Sequence, residues 1–494
     1  MSKTAIEGNL ARKRNPEEVE VRNPLTPDPL KYTSVSLSEV YSNNTRLEAS
    51  AFNLEAKAAK YKVEHCKYGY VHLWGENGLV KDAFVRSRFT RIYVEKGEGI
   101  PFYQPSSITE VYPKPTKYIS ENTDVDIEAL KVKKGMLLMS VSGTIGKCSI
   151  VGRTLDDKVF SHDLLRLTGK NVYDTGYIYA YFCTPIGQQM LQTNNYGAVI
   201  QHIEPEHLKN IIIPNAPDLI KRKIHDLVVE SYDLRDQSNE LIDEAERILY
   251  AELQLPPIEQ LKPRYFDESV DLRNYTTQLS GLNLRLDCSY HTPIVQLVNN
   301  EIAKHASEVK TLHELSSKII LAGVFKRDYV EKEYGVPFLG GKDMTQLNPQ
   351  VEKYLSTEKH SSRIKKELAV KENYILVSDR GTIGKAQIVP KHWEGWAVSQ
   401  NIIKIVPKNK DIAGYIYCFL NSDYGQILLK RETYGAVVDM IDDNNVAGIK
   451  IPFLKNESKQ KEINDIVLQA NELRYRAFLK EQEAVEMMEK ILTK

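Results

Sequence analysis

Leu138 to Val151 reads LMSVSGTIGKCSIV and Leu376 to Val389 reads LVSDRGTIGKAQIV, two stretches 238 positions apart (376 − 138). The same shift pairs Gly176-Tyr177-Ile178-Tyr179 with Gly414-Tyr415-Ile416-Tyr417, and Gly187-Gln188 with Gly425-Gln426. It also pairs Tyr196-Gly197-Ala198-Val199 with Tyr434-Gly435-Ala436-Val437, and Ile213-Pro214 with Ile451-Pro452. Several ordered matches in one register mark a duplicated structural unit. Arg46-Leu47-Glu48-Ala49-Ser50 anticipates Arg285-Leu286-Asp287-Cys288-Ser289 at a shift of 239 (285 − 46), so the duplication begins well before the glycine-rich stretch.

Around each GTIGK an apolar run, a glycine-bearing turn and a second apolar run predict a β-hairpin. A further strand follows at 161–167 and 399–406. Gly176 to Leu191 and Gly414 to Leu429 carry apolar residues at helical spacing, which predicts one helix packed on each sheet. Each repeat closes on Ile-Pro and leads into a long helical segment. In the first, Ile224, Leu227, Ser231, Leu234, Ser238, Leu241 and Ala245 alternate at four and three residues; in the second, Ile463, Ile466, Ala470, Leu473, Ala477 and Ala484 follow the same spacing. That is a coiled-coil seam with small residues every seventh position. The expectation is a mixed α/β chain of two tandem domains, each followed by a long helix, with the two helices in an antiparallel coiled coil. At ~1.5 Å per residue each helix spans roughly 50 Å, enough to hold two domains well apart. The boundaries read as 1–30 polar lead-in, 31–216 first domain, 217–255 first helix, 256–281 connector opened by Pro256-Pro257, 282–454 second domain and 455–494 second helix.

The chain has 494 residues with 66 basic and 66 acidic side chains, so no global field draws it to nucleic acid, and basic charge for such a partner must be local. No apolar run has the roughly 18 residues a membrane helix needs, the start lacks the apolar core of a secretory signal, and the five cysteines show no CxxC spacing. These features predict a cytoplasmic protein without a membrane partner.

GTIGK is not a phosphate loop, because two residues rather than four separate its glycines and no Ser or Thr follows the lysine. No metal-ligand spacing, adenine-methylation motif, nucleophile elbow or nuclease carboxylate cluster is found, so the sequence offers neither catalytic nor metal residues. What remains is basic and aromatic. Lys81, Arg86, Arg88 and Arg91 cluster near Phe84, Phe89 and Tyr93, and Lys326, Arg327 and Tyr329 form the counterpart, Arg91 and Tyr93 matching Arg327 and Tyr329 at a shift of 236. Arg363 and Lys365 belong to a second basic run, while Lys147, Arg380 and Lys385 lie on the hairpins. Such side chains suit phosphate neutralisation and base-edge contact, and all of them are candidate DNA-facing residues.

Together these features resemble the specificity (S) subunit of type I restriction-modification systems. The carriers are the SGTIGK and RGTIGK hairpins, the Ser161-His162-Asp163 and Ser399-Gln400-Asn401 steps, the Ile-Pro ends and the two terminal helices. The resemblance implies a non-catalytic subunit that reads a two-part double-stranded DNA target, one half-site per domain. It also implies docking to two modification subunits and a restriction/translocase subunit, with S-adenosylmethionine, ATP and Mg held by those partners and no cofactor here. A recognition component of another anti-phage assembly and a coiled-coil scaffold that does not touch DNA are the rival readings.

Overall fold

A computed structural model describes residues 34–42, 52, 54–143, 145–193, 202–261, 276–346, 348, 349, 351–435 and 438–493. The matches at Arg46–Ser50, Tyr196–Val199 and Ala436-Val437, the lead-in 1–30 and residues 262–275 of the connector lie outside the described residues. The chain divides into two compact units, residues 1–58 and 59–494. In the smaller, Leu37–Ser42 forms a helix and Lys57 Nζ donates to the Ser34 carbonyl at 3.3 Å.

The larger unit holds both repeats. The first contributes β1 (Tyr70–His72), β2 (Val80–Val85), β3 (Tyr93–Val94), β4 (Ile100–Tyr103), β5 (Lys117–Ile119), β6 (Leu137–Ser140), β7 (Cys148–Ile150), β8 (Val159–Phe160), β9 (Leu164–Gly169) and β10 (Ile212–Pro214). The second contributes β11 (Glu308–Thr311), β12 (Ser316–Leu321), β13 (Tyr329–Val330), β14 (Gly335–Leu339), β15 (Tyr354–Ser356), β16 (Ile375–Ser378), β17 (Ala386–Ile388), β18 (Ala397–Val398), β19 (Ile402–Pro407) and β20 (Lys450–Phe453). Sheet orders β1-β10, β2-β9-β6-β7 and β3-β5-β4-β8 recur as β11-β20, β12-β19-β16-β17 and β13-β15-β14-β18. The duplication in sequence is therefore a duplication of fold.

The GTIGK stretches are the β6–β7 and β16–β17 hairpins, with Leu137 opposite Ile150 and Ile375 opposite Ile388. Gly143, Gly146, Gly381 and Gly384 hold φ of +73°, +86°, +77° and +80°, a region closed to most side chains, which is why the motif recurs intact. The one helix expected after each hairpin is two: Asp174–Phe182 and Pro185–Thr193 in the first repeat, Lys410–Asn421 and Asp423–Arg431 in the second. A Cβ at Gly187 or Gly425 would lie 2.0 Å from the carbonyl oxygen of Tyr181 or Phe419, so the corner between the helices requires glycine. Gln188 and Gln426, the next residues, donate to the Gly146 and Gly384 carbonyls at 3.0 and 2.9 Å. Each repeated Gly-Gln pair thus ties a helix corner to its hairpin turn. Tyr177 and Tyr415 donate to the carbonyls of Pro214 and Pro452 at 2.9 and 2.6 Å, which fixes the Ile-Pro ends.

The long helices run Asp218–Glu252 and Glu457–Leu492. They are antiparallel: Ile224 and Leu227 share a core with Ala484, Met488 and Ile491, whereas Ile242 and Ala245 share one with Ile463, Val467 and Ala470. Leu234 meets Leu473 and Ala477 between those ends, and Ser231 Oγ donates to the Ala477 carbonyl at 2.7 Å. Ser238 is buried with them, and Leu241 and Ile466 are half-buried. Both helices also leave their own domain and run onto the other, so the second helix ends in the core of the first repeat beside Tyr179. Arg235 and Glu481 form an ion pair across the helices, and Glu481 also accepts from Tyr179 at 2.7 Å and from Asn348.

The domains are not held apart by the helices alone, as length had suggested. Loop 104–114 of the first repeat meets loop 340–349 of the second: Val111 N donates to the Thr345 carbonyl at 2.7 Å, and Glu110 pairs with Gln346 in an antiparallel bridge. Those two positions match at the shift of 236 that relates Arg91 to Arg327. Equivalent residues touch only on a twofold axis, so Glu110 and Gln346 lie on a pseudo-twofold relating the repeats. Lys96 adds a second link, reaching Asp423 at 2.7 Å and Glu259 at 3.1 Å. Burial alone would lower its pKa; the two carboxylates outweigh that and raise it.

Candidate nucleic-acid interface

The segments β2–β3 and β12–β13 carry the same construction at equivalent places. In the first repeat Arg86 lies over the Phe84 ring at 4.5 Å, Arg88 is exposed, and Arg91 lies over Phe89 and Phe102 at 5.9 and 5.8 Å. Phe89 also meets His162 edge-on at 5.6 Å, and exposed Tyr93 receives Lys117 on its ring at 5.4 Å. Arg88, Arg91 and Tyr93 thereby line one shallow depression with Phe89, His162 and Asp163. Burial pushes the pKa of His162 down; Asp163 opposes that shift and Arg91 adds to it. The imidazole is therefore neutral at pH 7 between an aromatic ring and a guanidinium.

In the second repeat Lys326 is exposed, Arg327 lies over Phe338 at 5.7 Å, and exposed Tyr329 receives Lys353 on its ring at 5.7 Å. Each domain therefore offers an exposed tyrosine and an aromatic-supported arginine beside a flexible basic residue. Arginines stacked on rings are held in place with a planar N–H fork suited to phosphate or base edges, which is the chemistry of groove contact.

Other candidates lie elsewhere. Lys81 is on the exposed side of β2. Arg363 is fastened over Phe325 at 4.7 Å, donates to the Gly323 carbonyl at 2.8 Å and pairs with Glu367, while Lys365 is exposed. Three are ion-paired within the chain. Lys385 is half-buried and paired with Glu110 of the other repeat at 2.7 Å; Arg380 is held by its neighbour Asp379 at 2.8 Å. Arg91 is paired with Asp163 at 3.2 Å and donates to Ser161 Oγ at 3.4 Å. Lys147, the mate of Lys385, is half-buried and faces the junction between the domains rather than open solvent.

Residues 306–472 match the family model described as the type I restriction modification DNA specificity domain. The matched span takes in most of the second repeat and the first part of the helix that follows it. This bears out the resemblance drawn from the two hairpins. Among solved structures the chain is similar to a type I restriction-modification S subunit from M. genitalium, at 14% identity over 85% of this chain and 97% of that one, with a TM-score of 0.28. It is similar also to the HsdS subunit from Thermoanaerobacter tengcongensis, at 13% identity over 86% and 96%, with a TM-score of 0.25. No curated protein matches the chain. The first repeat has the same strand orders as the second, so the two share one fold.

Sequence reasoning missed the cations that support each specificity domain from within. Arg166, on β9, is buried and donates to the carbonyls of Leu164, Leu130, Phe160 and Ser161; burial lowers its pKa to about 10. Its mate Lys404, on β19, donates to the Glu367 and Ala369 carbonyls at 2.7 Å each, and burial lowers its pKa to about 8. A cation at matched positions inside the apolar runs LLRL and IIKI was the available signal. Among the described residues no helix is long and apolar enough to cross a membrane, and no cluster of His, Cys, Asp and Glu is placed to hold a metal ion.

Proposed function

We propose that this chain is the DNA-recognition subunit of a type I restriction-modification complex, reading a split double-stranded target with one half-site per specificity domain. The observation that carries the reading is the pairing of equivalent basic-aromatic loops on two copies of one fold, related by a pseudo-twofold and fixed by an antiparallel helix pair. A duplex crossing that axis meets two equivalent loops, with a stretch between the half-sites that neither domain reads. Linkage makes the second contact intramolecular once the first has formed, so two modest half-sites sum to a selective whole.

The pseudo-twofold also provides two equivalent docking places, one for each of two modification subunits, with a restriction/translocase subunit added to that assembly. Methyl transfer with S-adenosylmethionine, and ATP- and Mg-dependent work, belong to those cytoplasmic partners; this chain's part is recognition. Selection from a random duplex library, using the chain purified with its partners, tests the reading. Enrichment of two short motifs at a fixed unread interval supports it. A single contiguous motif contradicts the split site, and no enrichment favours a scaffold that does not read DNA.

A further inference from the structure

The repeats differ where they should be most alike, on either side of the pseudo-twofold. Lys385 is neutralised by Glu110; its mate Lys147 faces the position equivalent to Glu110, and that position is Gln346. Arg91 is neutralised by Asp163; its mate Arg327 faces the position equivalent to Asp163, and that position is Asn401. Two carboxylates of one arrangement are thus amides in the other, and both exchanges leave a cation without its counter-ion.

The two cations are in one place. Lys147, Arg327, Gln346 and Asn401 all line a cavity of about 490 Å³ between the domains, floored by the Arg235–Glu481 ion pair. Asp343 and Glu352 line it as well, but among the described residues neither Lys147 nor Arg327 has a carboxylate oxygen within 4.0 Å. An unmet donor lies at the same spot: Arg327 Nε is buried with no partner. Glu481 does not supply the missing charge, because Arg235, Tyr179 and Asn348 already occupy it.

We infer that this cavity is an anion site that takes a phosphate group, held by Lys147 and Arg327, with the neutral Gln346 and Asn401 in the places where the other arrangement has carboxylates. A lysine and an arginine with free donors, half-buried and without a carboxylate partner, match a tetrahedral oxyanion in charge, and their N–H groups supply the donors it needs. The inference rests on the DNA-recognition reading for its preferred source, a backbone phosphate of the unread stretch, since the cavity opens beside the axis between the two half-sites. A free polyphosphate presents the same chemistry.

The decisive variant restores what the other arrangement has: Gln346→Glu together with Asn401→Asp, in the full chain, with the thermal transition as a check on folding. Wild type and variant are titrated with inorganic pyrophosphate, followed by thermal shift, and with mixed-sequence duplex DNA across a salt series. The expected result is stabilisation by pyrophosphate in the wild type alone, and a log affinity against log salt slope shallower by about one in the variant. Pyrophosphate binding without duplex binding would keep the anion site, assign it to a free polyphosphate and overturn the DNA reading. Duplex binding with identical slopes and no pyrophosphate effect would keep the DNA reading and overturn the site. A variant that loses its folded transition is replaced by Lys147→Met with Arg327→Met, for which the same comparison decides.

Discussion

Inserting one heptad into both long helices, after Arg235 in the first and after Arg474 in the second, separates the domains without disturbing the ends on which each is seated. Seven residues lengthen a helix by about 10 Å, and at about 3.4 Å per base pair that lengthens the unread interval by three base pairs. A heptad keeps the Ser238-to-Ala245 and Ala470-to-Ala477 spacing in register along the seam, with a drift of about 20°. Deletion is the wrong perturbation here, because loops 104–114 and 340–349 already touch through Val111 and Thr345 and would collide. Insertion instead breaks that bridge, the Lys385–Glu110 and Lys96–Asp423 pairs and the Asn348–Glu481 contact, and the thermal transition reports what those losses cost. The interval is read by duplex selection or from the methylated motif in cells. A gain of three base pairs with unchanged half-site motifs is expected; an unchanged interval in a folded insertion variant refutes the reasoning that the helices set it.

Removing the carboxylate of Glu481 by Glu481→Gln leaves Arg235 buried without a counter-ion, at a cost of about 3–5 kcal/mol in urea denaturation, while Arg235→Met with Glu481→Leu recovers much of it. Gly425→Ala places a methyl 2.0 Å from the Phe419 carbonyl oxygen and is expected to cost about 1–3 kcal/mol, lowering the melting temperature without altering helix content. Lys404 has a folded-state pKa of about 8, below the ordinary 10.5, so the unfolded chain holds the extra proton between those values. Stability contributed at this site therefore rises as pH climbs from 8 to 10.5 and is lost as pH falls through 8. Unfolding titrations of wild type against Lys404→Arg should differ in slope in that window alone.

Much of this architecture was legible because duplication prints the fold twice. The hairpins, the Ile-Pro ends and the seam each follow from local chemistry: left-handed glycine turns, tyrosine hydroxyls on proline carbonyls, small residues where two helices close. The corner within each expected helix was less visible, since Thr184-Pro185 marks it in one repeat but Ser422-Asp423 in the other, and the spacing of apolar residues runs straight through both. What could not be read was pairing across the axis. Glu110 lies 275 residues from Lys385, and Arg235 lies 246 from Glu481, so nothing in the sequence says which cations are already neutralised. That is why Lys385, Arg380 and Arg91 looked free for DNA. The repeat itself held the clue, since the shift of 238 that aligns the two hairpins sets Asp163 against Asn401.

The central claim is that this chain chooses a split DNA sequence for partner enzymes to modify. Single-molecule methylome sequencing of cells carrying the chain and its neighbouring genes, beside cells lacking only this chain, tests it directly. Loss of one methylated motif made of two short parts around a fixed unread interval is the predicted result. An unchanged methylome, in cells shown to express the chain, would contradict the account.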